Sequence, residues 1–460
     1  MIPNANLVII GGGGAGIAAA LTALERGATG IIVLEKRSST GGNSALAGGF
    51  IFGAESPPQE RAKRYISKDA AFKETMAFHH YDRVDARVLR AFIDKTGDTI
   101  RWLENNGIEY EWFEGAHTVH VLKDLKHPAG GFGAKLKILT EKCREGGVQI
   151  LLNTSGKKIL CKPDGPVTGV LAVNKDGEEI QINTRSVIIT TGGFTGSLEL
   201  LKKYFPFYYD DNTYGGGPMI PNMGDGIQLA EEAGAELNEY ATLIREPIGA
   251  PKTGKERPVL KDPATGRPSA LFKGGRLAAD PRSLWVNSLG SRFLDENHGY
   301  ENECSNAILS QPGKIAYALY DDAMVERITE PDPDAGPGLG NSPEQHVPDL
   351  REILQAEAEN NALACISHTW DRIAAWMGAD HNVLKATIEE YNTSCDQDYD
   401  SLFAKDKKYL FPLRQPPYYA VKFGPMMIDT VGPIRVNERI KKGNQKRGRF
   451  CLTINTTFAI

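Results

Sequence analysis

Residues 7–35 read LVIIGGGGAGIAAALTALERGATGIIVLE, and this stretch decides the fold. LVII is a short apolar strand, the glycine run is a turn, IAAALTALE is rich in strong helix formers, and IIVL is a second strand. Strand, helix and strand in such close succession form a βαβ unit with a right-handed crossover. Within it, Gly11, Gly13 and Gly16 satisfy GxGxxG directly after the strand and at the start of the helix, the context the motif requires. The first glycine permits a tight turn, the second lets backbone approach a pyrophosphate, and the third brings helix and strand together. Glu35 ends the second strand about 20 residues further on, where a carboxylate accepts from ribose hydroxyls. The predicted ligand is an adenine dinucleotide.

The residues after the second strand choose between dinucleotides. Thr40-Gly41-Gly42-Asn43-Ser44 and Ala47-Gly48-Gly49 present nearly bare backbone, which suits a flat ring system and which a nicotinamide dehydrogenase does not need. The expected cofactor is FAD. Other glycine clusters, at 215–217 and 336–340, do not sit between a strand and a helix, so no second dinucleotide site is evident. Electrons must then come from, or go to, an external partner.

At 460 residues and 41% hydrophobic composition the chain is too long for one core and can fill two. From Val148 short strands follow one another (VQILLNT, KKILCK, PVTGVLAVN, EEIQINTRSVIITTGG), with turns at Asp164-Gly165 and Asp176-Gly177. They predict a small antiparallel sheet appended to the dinucleotide domain, with the run after Ser186 returning to the main sheet. In Gly224-Asp225-Gly226, Asp225 is placed to cap the helix GIQLAEEAGAEL. From about residue 242 prolines and glycines multiply, and helical patterns resume only in LREILQAEAENNALA, TWDRIAAWMG and HNVLKATIEEYNTSC. The reading is an α/β protein: a first FAD-binding part at 1–241, an inserted α+β domain at 242–424, and a return at 425–460.

A net charge of −5, from 53 basic and 58 acidic residues, gives no field to hold nucleic acid and points to a small-molecule substrate. Six cysteines without a CxxC pair lack the spacing for zinc, iron–sulfur or haem ligation, so no metal is expected and the thiols read as reduced. No apolar run approaches the roughly 20 residues of a membrane span, and the first strand begins too early for a signal peptide. A cytoplasmic location is the expectation.

The segments VIIGGGGAGIAAA, VLEKRSSTGGNSALAGG, SVIITTGGF, MGDGIQLAEEAGAEL, LWVNSLGSRFLDE, PPYYAVKFGP and GPIRVN together resemble the fumarate reductase / succinate dehydrogenase flavoprotein family, including its 3-ketosteroid dehydrogenase relatives. The resemblance implies a Rossmann-like FAD domain, a capping domain, and hydride transfer between flavin N5 and a carbon–carbon bond beside an electron-withdrawing group. It further implies pyrophosphate contacts at Gly11, Gly13, Ala15 and Gly16, and ribose contact at Glu35 with Lys36 beside it. Flavin-proximal backbone is implied at Gly41, Gly42, Asn43, Ser44, Gly48 and Gly49, adenosine contacts at Thr191 and Gly192, and a place near the cofactor for Asp225. Covalent members carry a histidine where this chain reads STGGNSAL, so the FAD is expected to be noncovalent.

The chain departs from the pattern at the substrate. Counted from Arg292, the position of the family's arginine acid is Tyr300, as in the ketosteroid dehydrogenases. A phenol with an ordinary pKa of about 10 donates a proton readily at neutral pH, which favours reduction. Where the family clamps fumarate with histidines, this chain has Arg245-Glu246-Pro247 and Ile428-Asp429, which argues against a simple dicarboxylate substrate. Arg245 and Arg292 can hold a carboxylate bidentately, although Arg292 also suits an internal salt bridge within SRFLDE. Tyr419 of PPYYAVK is a further pocket candidate, and His117 and His120 of HTVH are read as surface residues or, less favoured, as reaching the site. The tail NQKRGRFCLTINTTFAI matches nothing in the family, whose next element places a helix N-terminus at the flavin. A truncated, inactive flavoprotein is therefore one alternative, and a 3-ketosteroid dehydrogenase another.

Overall fold

The computed structural model describes residues 4–47, 49–112, 119–123, 132–162, 166–206, 222–249, 280–296, 302–330, 350–361, 363–439 and 450–452. The two apolar runs of the opening motif are β1 (Leu7–Ile10) and β2 (Ile31–Leu34), joined by α1 (Gly14–Glu25) and paired in parallel. Side chains alternate across a strand, so Ile9, Ile31 and Val33 face one way and Val8, Ile10, Ile32 and Leu34 the other. Both faces are covered, which is why neither strand has a polar position.

On the first face, α1 packs with α3 (Phe132–Glu145) and with the C-terminal half of α2 (Ala86–Asn105) through Ile17, Leu21, Ile100, Leu103, Leu136 and Leu139. On the second lies the antiparallel sheet β7 (Thr154–Cys161), β8 (Val167–Asn174) and β9 (Glu179–Asn183), with α4 (Asp225–Glu232) beside it. The parallel sheet is completed by β10 (Val187–Ile189) beside β1, by β6 (Gln149–Leu151) beside β2, and by β16 (Phe450–Leu452) outside β10. A three-stranded sheet of β3 (Phe50–Phe52), β5 (Val119–Leu122) and β4 (Tyr110–Trp112) has no counterpart among the strands expected from the sequence. VQILLNT is also divided differently: its first half extends the parallel sheet, and Asn153, at φ +52°, turns the chain into the antiparallel one.

The chain divides into two compact units. Met1–Leu200, Ile220–Thr242 and Thr430–Ile460 form the first, and Leu201–Met219 with Leu243–Asp429 form the second. The second unit is built on β12 (Leu284–Val286), β13 (Ala316–Tyr320) and β15 (Tyr418–Val431), with β11 (Thr242–Gly249) and β14 (Ala364–Ser367) also pairing β15. Its core gathers Trp285, Tyr320, Tyr391 and Phe423. Helix Trp370–Met377 begins at Thr369, whose side chain caps Arg372 N, and ends at Gly378 in the left-handed region, as TWDRIAAWMG foretells. Among the described residues no helix is long and apolar enough to cross a membrane.

Candidate functional site

Strands β2 and β10 flank β1, and the crevice beyond their C-terminal ends is a topological switch point, where open α/β sheets bind ligands. An open cleft lies there within the first unit. Its lining includes Gly11 and Gly13 from the first turn, Glu35 and Lys36 from the end of β2, and Gly42, Asn43 and Ser44 from the second glycine turn. Thr191, Gly192 and Asp225 complete the set of sequence-nominated residues found there.

The two glycine turns hold each other, since Gly41 N donates to Gly12 O at 2.9 Å and Gly13 bridges Gly41 in parallel. Gly41, at φ +125°, adopts a backbone that side-chain-bearing residues avoid. Helix α1 starts at Gly13 with no side-chain cap and no acidic residue in its first turn, leaving amides and a positive dipole end for an anion. Glu35 is buried; Oε2 accepts from Gly12 N at 2.8 Å and Oε1 from Arg37 N at 2.9 Å. The carboxylate therefore shapes the turn itself. Glu35→Ala is expected to destabilise the cofactor-free protein by about 1–3 kcal/mol by stripping these amides of their acceptor, as read by chemical denaturation.

The residues fit a flavin dinucleotide. Both ends of the Asn43 carboxamide are buried in the cleft and, among the described residues, find no hydrogen-bond partner. Such a group calls for a ligand. Ser44, the α1 amides and Glu35 would hold the phosphates and ribose.

Not every nominated residue lines the cleft. Ala15, Gly16, Gly41 and Gly49 lie outside the lining: Gly16 packs against Gly11 O and Thr190 Oγ1, and Gly49 O accepts from Leu122 N at 3.1 Å. Gly48, His117 and Tyr300 fall outside the described residues. Asp225 does not cap its helix; Gly224, at φ +81°, holds the cap position, and Asp225 Oδ2 pairs with Lys36 Nζ at 2.7 Å instead. The lining also includes Arg37 and Thr190, inside the segments that carry the family resemblance but not singled out there, and Thr154, Ser155, Gly156 and Asn222, which lie in none of those segments.

The described substrate-side nominees all have partners within the protein. Arg245 is buried on β11 and donates to Asn306 Oδ1 at 2.7 Å. His120 is buried with Nε2 2.5 Å from Ser56 Oγ, contrary to a surface histidine. Tyr419 Oη donates to Asp322 Oδ1 and accepts from Arg351 Nη1, both at 2.9 Å; burial and the Asp322 charge push its pKa up to about 12. Arg292, nominated to clamp a substrate carboxylate, instead grips Glu296 through Nε and Nη2 at 2.9 Å and Asp400 at 2.8 Å. Lys405 Nζ adds a contact to Glu296 at 3.2 Å, and the rings of Tyr391 and Phe403 lie against the guanidinium.

Burial alone would raise the Glu296 and Asp400 carboxyls; the charges of Lys405 and Arg292 on Glu296, and of Arg292 on Asp400, hold both below the usual range. Carboxyls depressed in the folded state stabilise it above their unfolded pKa values of about 4 and lose that contribution as pH falls below them. Asp400→Asn is thus expected to lose less stability than the parent does between pH 5 and lower pH, because one proton-linked carboxyl is gone; melts at pH steps below 5 check this.

Fold and site together define a dinucleotide-binding α/β protein. The chain belongs to the FAD binding domain family, whose model matches residues 6–448; it is a flavoprotein oxidoreductase and its cofactor is FAD. It is 28% identical over 446 residues to a vinyl phenol reductase of Lactiplantibacillus plantarum, covering 94% of this chain and 85% of that protein. It is 25% identical over 436 residues to an NADH:fumarate oxidoreductase of Klebsiella pneumoniae, covering 94% of this chain but 42% of the relative, so it spans under half of that protein. Its fold matches a 3-ketosteroid delta1-dehydrogenase from Sterolibacterium denitrificans with a TM-score of 0.73 at 17% identity, over 98% of this chain and 92% of that one. The family read from the motifs is the one found.

Proposed function

We infer that the protein reduces a carbon–carbon double bond conjugated to a carbonyl, carboxylate or aromatic ring. The observation that carries this reading is the glycine-walled cleft with its buried, partnerless Asn43 carboxamide, in a chain whose relatives include a vinyl phenol reductase and an NADH:fumarate oxidoreductase. FAD, when bound, supplies the hydride chemistry at N5. The chain supplies the rest: α1 amides and Glu35 bind and orient the dinucleotide, and the second glycine turn admits the ring system.

In this reading the first unit is a Rossmann-like FAD domain and the second takes the role of the family's capping domain. Tyr300 is the proton donor to the substrate carbon opposite the hydride. Arg245 orients the substrate's electron-withdrawing group, whereas Arg292 and Tyr419 keep the second unit in shape. An external donor brings electrons, since no second dinucleotide motif is evident in the sequence, and cysteines without CxxC spacing fit a reducing, cytoplasmic setting.

The test is anaerobic. FAD-loaded protein, reduced with a chemical dye, is mixed with enones, enoates and vinyl phenols while flavin absorbance is followed. Reoxidation by at least one class is expected; a reduced flavin stable against all of them overturns the reading.

A further inference from the structure

An ion pair crosses the cofactor cleft. Lys36 follows Glu35 beyond the end of β2, and Asp225 opens α4. The start of α4 is seated on the end of β10: a side-chain carbon at Gly226 would stand 2.6 Å from Ile189 Cγ2 and closer still to Thr191 Oγ1. Strands β2 and β10 lie on opposite sides of β1. The contact of 2.7 Å between residues 189 apart therefore joins the two walls over the end of β1, where the pyrophosphate turn begins. Both side chains line the cleft, yet they are 35% and 36% exposed, which puts the pair at the rim rather than the floor.

We propose that Lys36 and Asp225 form a strap across the cofactor cleft that must open for FAD to enter or to leave. A strap differs from an ordinary cofactor contact in its kinetics. A strap made in the empty and the loaded protein alike slows association and dissociation together and leaves the equilibrium nearly untouched. Being partly exposed, it is also weakened by salt.

The experiment measures FAD binding rather than turnover, so its outcome is independent of the substrate reading. Association and release rates of FAD are followed by flavin fluorescence in the parent, Lys36→Met and Asp225→Asn, at ~0.01 M and ~1 M NaCl, between which the Debye length falls from about 30 Å to about 3 Å. Circular dichroism of the cofactor-free variants confirms folding, and two variants at opposite ends of the pair guard against failure of either. In both variants the two rates are expected to rise together by about twofold to fivefold at low salt, with Kd changed less than either rate, and the parent is expected to converge on them at high salt. Acceleration of release alone would make the two residues plain cofactor contacts and overturn the strap. Rates unchanged in both variants would overturn it equally.

Discussion

Gly11→Ala is expected to destabilise the first unit by about 2–6 kcal/mol, before any cofactor is considered. Two costs coincide there. Gly11 has φ +111°, a backbone that a residue with a Cβ occupies only under strain of roughly 1–3 kcal/mol. The new methyl would also stand 2.6 Å from the Thr190 carbonyl carbon and nearer still to its oxygen. Backbone on both sides cannot yield as a flexible side chain would, so an overpacking cost of roughly another 1–3 kcal/mol applies. Thr190 cannot withdraw: its Oγ1 donates to Gly11 O at 2.7 Å and its N to Ile10 O at 2.8 Å, fixing β10 against β1. Denaturant unfolding of the cofactor-free protein reads the loss, and a change below 1 kcal/mol would show that the turn is looser than described.

Glu296→Gln is expected to cost the second unit a similar amount, about 3–5 kcal/mol, because it leaves buried Arg292 and Lys405 facing a single carboxylate, Asp400. The Lys405 side chain is fully buried, with Nζ donating to Ser283 O at 2.9 Å. The sharper form of the expectation uses two changes. Glu296→Gln combined with Lys405→Met leaves Arg292 and Asp400 as a neutral pair, so the double variant should be more stable than Glu296→Gln alone. Additive losses would mean that the buried charges do not act as one cluster.

The parallel core was legible because strands buried on both faces must be apolar at every position, and LVII and IIVL are. The cofactor turn was legible because each of its glycines answers a separate steric demand at a fixed spacing. Asp85, Thr369 and Asp380 cap their helices by accepting from amides two or three residues onward, whereas the one cap expected from the sequence, Asp225, does not form. What escaped the sequence was long-range pairing. Arg292 meets Asp400 across more than a hundred residues, and no local pattern announces such a partner. Asp225 read as a cap because its nearest free amides are its own helix's, whereas Lys36, distant in sequence, takes it. Strands β3 to β5 are three or four residues each, too short for alternation to stand out from the aromatic residues they contain. Thr154, Ser155 and Gly156 line the cleft only because β7 starts beside β2, a matter of topology rather than motif.

The central claim is that the first turn holds FAD through bare backbone, and Gly13 isolates it. Gly13 has an ordinary extended backbone, φ −72° and ψ −175°, and a Cβ added there would meet only Gly41 O, at 3.8 Å. Unlike Gly11, it tolerates a side chain as far as folding goes, but that side chain would enter the cleft where the pyrophosphate belongs. Titrating FAD into folded, cofactor-free Gly13→Val measures the difference directly. Affinity is expected to fall about 100-fold or more, roughly 3 kcal/mol, with the unfolding midpoint unchanged; binding as tight as the parent's would contradict the site described here.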